Sequence, residues 1–234
     1  MGNPAMNGRE QFYPMKTLLL VFALFVTRLS AGYLDAFDAS HLLPPPPNQI
    51  NAAEQAADLA AVKINSAQPG AADLAAIRHE EELNFNTYSD ITGVTLTAQA
   101  DPLAMDFFIK VEKETRQATS VVKKNWKRDR PYVTDTSIHP TVTEATLSYP
   151  SGHATRGVVY ALVLAELFPE KRDALLAFGY NVGWHRVVAG VHYPTDVQGG
   201  RTLGLAIAQR MLANPEFQAD LAKVKAELHP VATH

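Results

Sequence analysis

The sequence predicts an all-α protein with one compact helical domain, and three observations support this. Apolar residues recur at helical spacing along most of the chain after residue 50. Many of these segments begin with a capping residue or a proline. No stretch of four or more residues alternates convincingly between apolar and polar side chains, as a half-buried strand would. With 234 residues, 47% of them hydrophobic, the chain can bury a sizeable core without disulfides.

Residues 1–31 are predicted to be a secretory signal peptide. Lys16 precedes nine consecutive apolar residues, 18–26, and small residues follow at 30–32. Nine residues are too few to cross a bilayer as a helix, which takes about 20. A buried core helix is the alternative, and Met15 is a second candidate start. The pattern predicts export, with no integral membrane segment in the mature chain.

After the signal peptide, residues 32–50 are predicted to form an extended arm. It contains four consecutive prolines, 44–47, and such a run adopts polyproline II geometry. Residues 51–234 then form the helical domain. Two short helices are predicted over 51–64 and 71–83, because their apolar residues recur at helical spacing on either side of a Pro-Gly turn.

The longest helix is predicted from Pro102 to about Trp126, with Asp101 as its N-cap. Two segments lack periodicity and are predicted loops, 87–100 and 132–149, and the second has a length typical of functional loops. Helical structure resumes at Ser151, and the later apolar segments cover 157–168, 169–189, 194–212 and 215–228.

Composition excludes several functional classes. A formal net charge of −3 provides no field that would attract nucleic acid, so no nucleic-acid partner is predicted. The chain has no cysteine, which excludes disulfides, thiol nucleophiles, cysteine-based zinc sites and iron–sulfur clusters. No cluster of carboxylates suggests a metal cage. We therefore expect neither a metal nor another cofactor.

The tetrapeptide Pro150-Ser151-Gly152-His153 opens a predicted helix. The first backbone N–H groups of a helix are unpaired, and the helix dipole favours an anion there. Alone, this signal is weak, because serine is a common structural N-cap. Whether the tetrapeptide indicates an anion-binding site depends on the charged residues elsewhere in the chain.

Two further blocks carry those residues. Upstream, Lys123 is followed after six residues by Arg130-Pro131; downstream, Arg186 is followed after five residues by His192, and His192 after three by Asp196. The basic run 123–130 could equally be a solvated surface, and His192 could be a core histidine with satisfied hydrogen bonds.

Taken together, the three blocks supply the parts that phosphoryl transfer through a covalent intermediate requires. The cations that could neutralise phosphate oxygens are Lys123, Arg130 and Arg186. Directed donors come from the Ser151 hydroxyl and the amides at Gly152. His192, oriented by Asp196, could attack phosphorus. His153 could protonate the leaving alkoxide and later deprotonate the attacking water.

These blocks, in this order, resemble the signature of the type 2 phosphatidic acid phosphatase superfamily, and within it the class A bacterial nonspecific acid phosphatases. The narrower match depends on the proline-rich segment 42–47 and on segment 214–218 before the last helix. The resemblance covers most of residues 40–230. It implies an all-helical domain in the periplasm, metal-independent hydrolysis of phosphate monoesters at acidic pH, and frequent homo-oligomers.

One position departs from that signature. The third block of the family normally begins Ser-Arg, whereas this chain has His185-Arg186. His185 could donate a hydrogen bond to a neighbour of the phosphate site, contact phosphate itself, or replace the serine in helix packing only.

Three alternative functions share the same anion site. A vanadium-dependent haloperoxidase has a similar set of residues, but such enzymes usually have larger helical surrounds. A peripheral enzyme could act on lipid phosphates, because the lipid-phosphatase branch has a similar third block. A non-catalytic phosphate-binding protein would not need His153 or the His192 and Asp196 pair.

Overall fold

The structure, a computed structural model, describes Met1 and residues 32–229. Residues 32–229 form helices joined by irregular segments and contain no β-strand, which confirms the predicted all-α class. Apart from Met1, the predicted signal peptide lies outside the described residues. Over the described part of the chain, no helix has the length and apolar character needed to cross a membrane.

The helices follow one another in chain order. They are α1 (Pro47–Ile50), α2 (Ala52–Ser66), α3 (Ala71–His79), α4 (Ser89–Thr92), α5 (Pro102–Trp126), α6 (Pro131–Thr134), α7 (Gly152–Leu167), α8 (Arg172–Val188), α9 (Pro194–Leu212) and α10 (Pro215–Leu228). Two 3₁₀ turns, Phe85–Tyr88 and Pro169–Lys171, lie between them.

The ends of the predicted arm and of α3 differ from the sequence prediction. The last residues of the arm form α1, because Pro47 occupies a first helical position, where its missing N–H costs nothing. Helix α3 stops at His79 rather than continuing to residue 83. The next residue, Glu80, is only 1% exposed and pairs with Arg186 in the interior.

Part of the predicted loop 87–100 is helical, since the 3₁₀ turn Phe85–Tyr88 runs directly into α4. Aromatic packing accounts for this. Phe85 stacks on Phe108 with ring centroids 3.5 Å apart, and the buried Tyr88 hydroxyl donates to the carbonyl of Gly157. These contacts come from distant parts of the chain, so local periodicity could not indicate them.

Helix α7 forms the centre of the domain and packs along both α8 and α9. Glycines allow this close approach. A β-carbon on Gly157 would lie 2.5 Å from the carbonyl oxygen of Gly179 on α8, and one on Gly200 of α9 would lie 2.5 Å from the carbonyl oxygen of Ser151. The beginnings of α7 and α9 are therefore held together, which brings the second and third sequence blocks to one place.

Helix α5 brings the first block to the same place. It ends at Trp126 because the next residue, Lys127, adopts a left-handed conformation with φ of 46°. The chain then turns inward, and both Arg128 and Arg130 are buried. On the far side of α5, Tyr33 of the arm packs edge-on against Phe217 of α10.

Candidate active site

A cavity of about 690 Å³ opens between α5, the start of α7, and two irregular segments. The segments contribute residues 81–84, and residues 143, 144 and 146, to its lining. Of the predicted site residues, the lining includes Lys123, Arg130, Gly152 and His153.

His192 lies at the buried end of this site, with 1% of its surface exposed. Its Nδ1 is 3.2 Å from Oδ2 of Asp196, and its Nε2 is 2.9 Å from Nη1 of Arg130. A carboxylate only accepts and a guanidinium only donates, so Nδ1 carries the proton and Nε2 keeps its electron pair. Burial and the adjacent Arg130 lower the pKa of His192 well below its usual value. The imidazole therefore stays neutral.

Asp196 is held from several directions at the start of α9. Its Oδ2 also accepts from the Ser148 hydroxyl at 2.5 Å and from the Tyr193 amide at 2.9 Å. Its Oδ1 accepts from Nη1 of Arg128 at 2.7 Å. These bonds fix the carboxylate, and through it the ring of His192.

Arg128 is a residue that the sequence did not single out. It is 1% exposed, pairs with Asp58 at 2.8 Å as well as with Asp196, and stacks on the ring of Tyr193 with 3.8 Å to the centroid. In the same basic run, Lys124 and Lys127 are exposed, as a solvated surface predicts. The run thus divides between surface and interior.

Lys123 and Arg130 approach the site from the end of α5. Nζ of Lys123 donates to the carbonyl oxygens of Leu147 and Ser148, the second at 3.3 Å. Partial burial and the nearby Arg130 lower the pKa of Lys123 to about 7. Arg130 donates from Nε to the carbonyl of Thr146 and from Nη1 to that of Val191, both at 2.8 Å.

Arg186 is completely buried but only partly hydrogen-bonded. Its Nη2 donates to the Ile77 carbonyl at 3.1 Å and lies 3.4 Å from Oε2 of Glu80. Within residues 32–229, its Nε and Nη1 have no hydrogen-bond partner. His185 Nδ1 lies 2.7 Å from the other oxygen of Glu80, so this carboxylate contacts the side chains of both His185 and Arg186.

Ser151 caps α7. Its Oγ accepts from the Ala154 amide at 3.3 Å, and its own amide donates to the Asp196 carbonyl at 2.9 Å. The next two amides, of Gly152 and His153, have no acceptor in the part of the chain that the structure describes. Two donors at the positive end of a helix dipole are therefore available to an anion.

His153 is 7% exposed and faces the cavity. Its Nε2 lies 3.1 Å from the Glu81 carbonyl, which only accepts, so Nε2 carries a proton. Its Nδ1 lies 3.5 Å from Oε1 of Glu144, and Oε2 of that residue is 3.8 Å from Arg130. Burial and the nearby Arg156 lower the pKa of His153 well below its usual value.

The three sequence blocks thus meet, but four residues of the site were not found from the sequence. They are Asp58, Glu80, Arg128 and Glu144. Glu144 lies in the loop 132–149, whose length alone suggested a function. The partners of the other three come from distant segments, so no local pattern marks them.

Comparison with known proteins is consistent with this geometry. Residues 113–218, which include all three blocks, match the sequence model of the PAP2 superfamily. The matched region holds every predicted phosphate-site residue, from Lys123 to Asp196.

Two relatives match part of the chain. The chain is 41% identical over 118 residues to a non-specific acid phosphatase of Salmonella typhimurium, which covers 48% of this chain and 47% of that protein. It is 32% identical over 148 residues to a non-specific acid phosphatase of Providencia stuartii, with 61% and 60% covered. The matches thus span about half to three fifths of the length of these relatives.

The fold also resembles a solved structure. The crystal structure of a transmembrane PAP2-type phosphatidylglycerolphosphate phosphatase from Bacillus subtilis has a TM-score of 0.53 and 23% identity. The comparison covers 70% of this chain and 87% of that one. This likeness supports the helical architecture.

Proposed function

We propose that the protein hydrolyses phosphate monoesters at acidic pH, without a metal, through a phosphohistidine on His192. The observation that carries this proposal is the state of His192. Its Nδ1 proton is held by Asp196, and its Nε2 electron pair points toward Arg130. A neutral, oriented imidazole next to cations is an activated nucleophile placed where a phosphate would bind.

Phosphate binding would use the donors that the structure leaves available. Arg186 contributes Nε and Nη1, and α7 contributes the amides of Gly152 and His153. Lys123 and Arg130, which line the same cavity as Gly152 and His153, add two more cations. Such preorganised donors stabilise the charge that develops on the phosphoryl oxygens in the transition state.

In the first step, Nε2 of His192 attacks phosphorus and the bond to the ester oxygen breaks. Protonated His153 gives its Nδ1 proton to the departing alkoxide, which leaves as an alcohol. The Glu144 carboxylate lies 3.5 Å from this nitrogen. Burial and the nearby Arg156 hold the pKa of His153 well below its usual value, so the protonated form that the step requires is reached only in acid. Asp196 stabilises the positive charge that the phosphorylated ring of His192 acquires.

In the second step, the neutral His153 removes a proton from a water molecule. The resulting hydroxide attacks phosphorus, the bond between phosphorus and Nε2 breaks, and inorganic phosphate leaves. His192 regains its electron pair, and His153 is again protonated for the next cycle. Apart from the substrate and water, both steps use side chains and backbone amides of this chain.

Two pKa shifts favour operation at acidic pH. Because the pKa of His192 lies well below its usual value, the nucleophile stays neutral in mild acid. Because the pKa of Lys123 is about 7, this phosphate-binding cation is charged below that pH and loses its charge above it. Both groups are in their required states on the acidic side of neutrality.

The names of the relatives support the same reaction, since both are called non-specific acid phosphatases. As the matches span about half to three fifths of those proteins, the activity and substrates of the whole chain are our proposal. Export to the periplasm is part of it and depends on the predicted signal peptide. Within the described residues, no group of three or more His, Cys, Asp or Glu side chains could hold a metal.

The direct test is phosphate release from p-nitrophenyl phosphate between about pH 4 and 8, with and without EDTA. We expect EDTA-resistant turnover that is fastest in acid and falls by at least about 10³-fold in His192→Ala. His139→Ala, which changes an exposed histidine, is the matched control.

Three results would contradict the proposal. Full activity in His192→Ala would exclude the phosphohistidine, and loss of activity in EDTA with recovery on adding a divalent ion would exclude the metal-free mechanism. No turnover, combined with oxidation of bromide by peroxide when vanadate is added, would favour the haloperoxidase.

A further inference from the structure

Arg156 is a buried cation that the proposed mechanism does not use. It lies on α7 one turn after His153 and is 7% exposed. Within residues 32–229 it has no ion-pair partner, and its Nε has no hydrogen-bond partner. Arg128 and Arg186, which are more deeply buried, both contact carboxylates. Burying an unpaired charge is costly, so this arginine is better explained by a ligand than by stability.

The guanidinium of Arg156 is directed toward the phosphate site. Long side chains on a helix project back toward its N-terminus. In agreement, a β-carbon on Gly152 would lie 3.8 Å from Nη1 of Arg156. Arg156 also lines the cavity. Its fork of donors therefore faces the space beside the free amides of α7.

Arg156 lies on the side of the leaving group rather than beside His192. Among charged residues, Arg156 lowers the pKa of His153 most, whereas the cations that act on His192 are Arg130, Lys123, Arg186 and Arg128. In the proposed mechanism, His153 protonates the leaving oxygen. Arg156, one turn after His153 on α7, would therefore contact the part of the leaving group that lies beyond that oxygen.

The scissile phosphate does not need another cation, because Lys123, Arg130 and Arg186 already surround it in the proposed mechanism. The outer lining also limits what the leaving group can be. Glu81 and Glu82 contribute to the same cavity, as does Glu112, whose charge is paired with Arg116. The carboxylates of Glu81 and Glu82 disfavour a chain of several negative charges. One additional anion, close to the scissile phosphate, fits this arrangement.

We propose that Arg156 binds a second anionic group, a carboxylate or a phosphate, on the leaving group of the substrate. This inference depends on the proposed function for the position of the scissile phosphate. A guanidinium can donate two parallel hydrogen bonds to either group, which gives orientation as well as affinity. The preferred substrate class is thus a small phosphate monoester with a second anion a few bonds away.

The test compares three ligands with the same three-carbon skeleton: glycerol 1-phosphate, 3-phosphoglycerate and glycerol 1,3-bisphosphate. Calorimetry on the His192→Ala chain measures binding without turnover. We expect 3-phosphoglycerate, glycerol 1,3-bisphosphate or both to bind about 10- to 100-fold more tightly than glycerol 1-phosphate. Which of them is preferred identifies the second group as a carboxylate or a phosphate.

The same measurement on chains that also carry Arg156→Met or Arg156→Lys tests the assignment. We expect the affinity ratio to fall toward one with methionine and to recover in part with lysine, which keeps the charge without the fork. Arg172→Met is the control, because Arg172 is exposed and does not line the cavity. It should keep the ratio of the parent chain.

Equal binding of all three ligands to the His192→Ala chain would overturn the inference, and so would an unchanged ratio in both Arg156 variants. Thermal unfolding shows whether each variant is folded, and the lysine variant decides alone if the methionine variant is not. Hydrolysis of p-nitrophenyl phosphate by the unaltered chain is scored separately. If that hydrolysis is absent while the ratio depends on Arg156, the proposed function fails but the anion site remains.

Discussion

On the buried side of His192, charged side chains pair with one another, whereas on its other side they face the cavity. On the buried side, Arg128 bridges Asp58 and Asp196, with oxygens at 2.8 and 2.7 Å. On the cavity side, Lys123 donates to backbone carbonyls and Arg156 has no ion-pair partner among residues 32–229. Charged residues thus serve different purposes on the two sides of His192.

This difference indicates which part of the site is fixed by folding and which part awaits a ligand. A buried ion pair whose remaining hydrogen bonds are satisfied holds one geometry. A buried cation without such a partner keeps its donors free but lowers stability. Variants on the buried side should therefore alter geometry and stability, while variants on the cavity side should alter the response to anions.

The largest effect is expected from Asp196→Asn, which breaks the buried side at its centre. If the new amide nitrogen faces His192, it forces the proton to Nε2 and removes the attacking electron pair. If it faces Arg128 instead, two donors oppose each other. We expect kcat for p-nitrophenyl phosphate to fall by about 10³- to 10⁴-fold, the scale seen when an aspartate that sets a catalytic histidine tautomer becomes asparagine.

Asp129→Asn is the control for this measurement. Asp129 is exposed and lies between the two buried arginines of the same segment, so its variant should keep the kcat of the parent chain. A value of kcat in Asp196→Asn within tenfold of the parent would mean that Asp196 does not set the tautomer of His192.

The second largest effect concerns stability. Arg128→Met leaves the carboxylates of Asp58 and Asp196 buried without their common partner. We expect the free energy of unfolding, measured with urea, to fall by about 3–5 kcal/mol. Lys63→Met breaks the exposed pair of Lys63 with Asp135 and should change it far less. Equal losses of unfolding free energy in the two variants would show that the buried network contributes no more to stability than a surface ion pair.

The difference between local sequence signals and contacts between distant segments explains how much of the fold could be predicted. Helices α5, α9 and α10 begin at prolines that follow capping or extended residues, so sequence located them closely. The end of α3 and the turns at Phe85–Tyr88 were missed. Those backbone conformations are set by Glu80 and by aromatic rings that contact distant helices, which a local pattern does not reveal.

For the site, the sequence supplied the residues that face phosphate in our mechanism but few of those that hold them. The blocks around Lys123, His153 and His192 have regular spacing, and the structure brings them together. Arg128 lies in a basic run that also fits a solvated surface, and only the packing of α2 and α9 against it shows that it is buried. Arg156 gave no signal, because an isolated arginine in an apolar helix is ordinary.

The smallest effect is on the cavity side, where the charge of Lys123 should control anion affinity. With a pKa of about 7, Lys123 is protonated below that pH and neutral above it. Sulfate keeps the same charge throughout, and His153 and His192 stay neutral because their pKa values are well below usual. Competitive inhibition by sulfate should therefore weaken about tenfold from pH 6 to 8. Lys123→Arg should flatten this dependence because arginine stays charged, whereas Lys124→Arg, at an exposed position, should reproduce the parent profile. An equally steep profile in Lys123→Arg would assign the titration to another group.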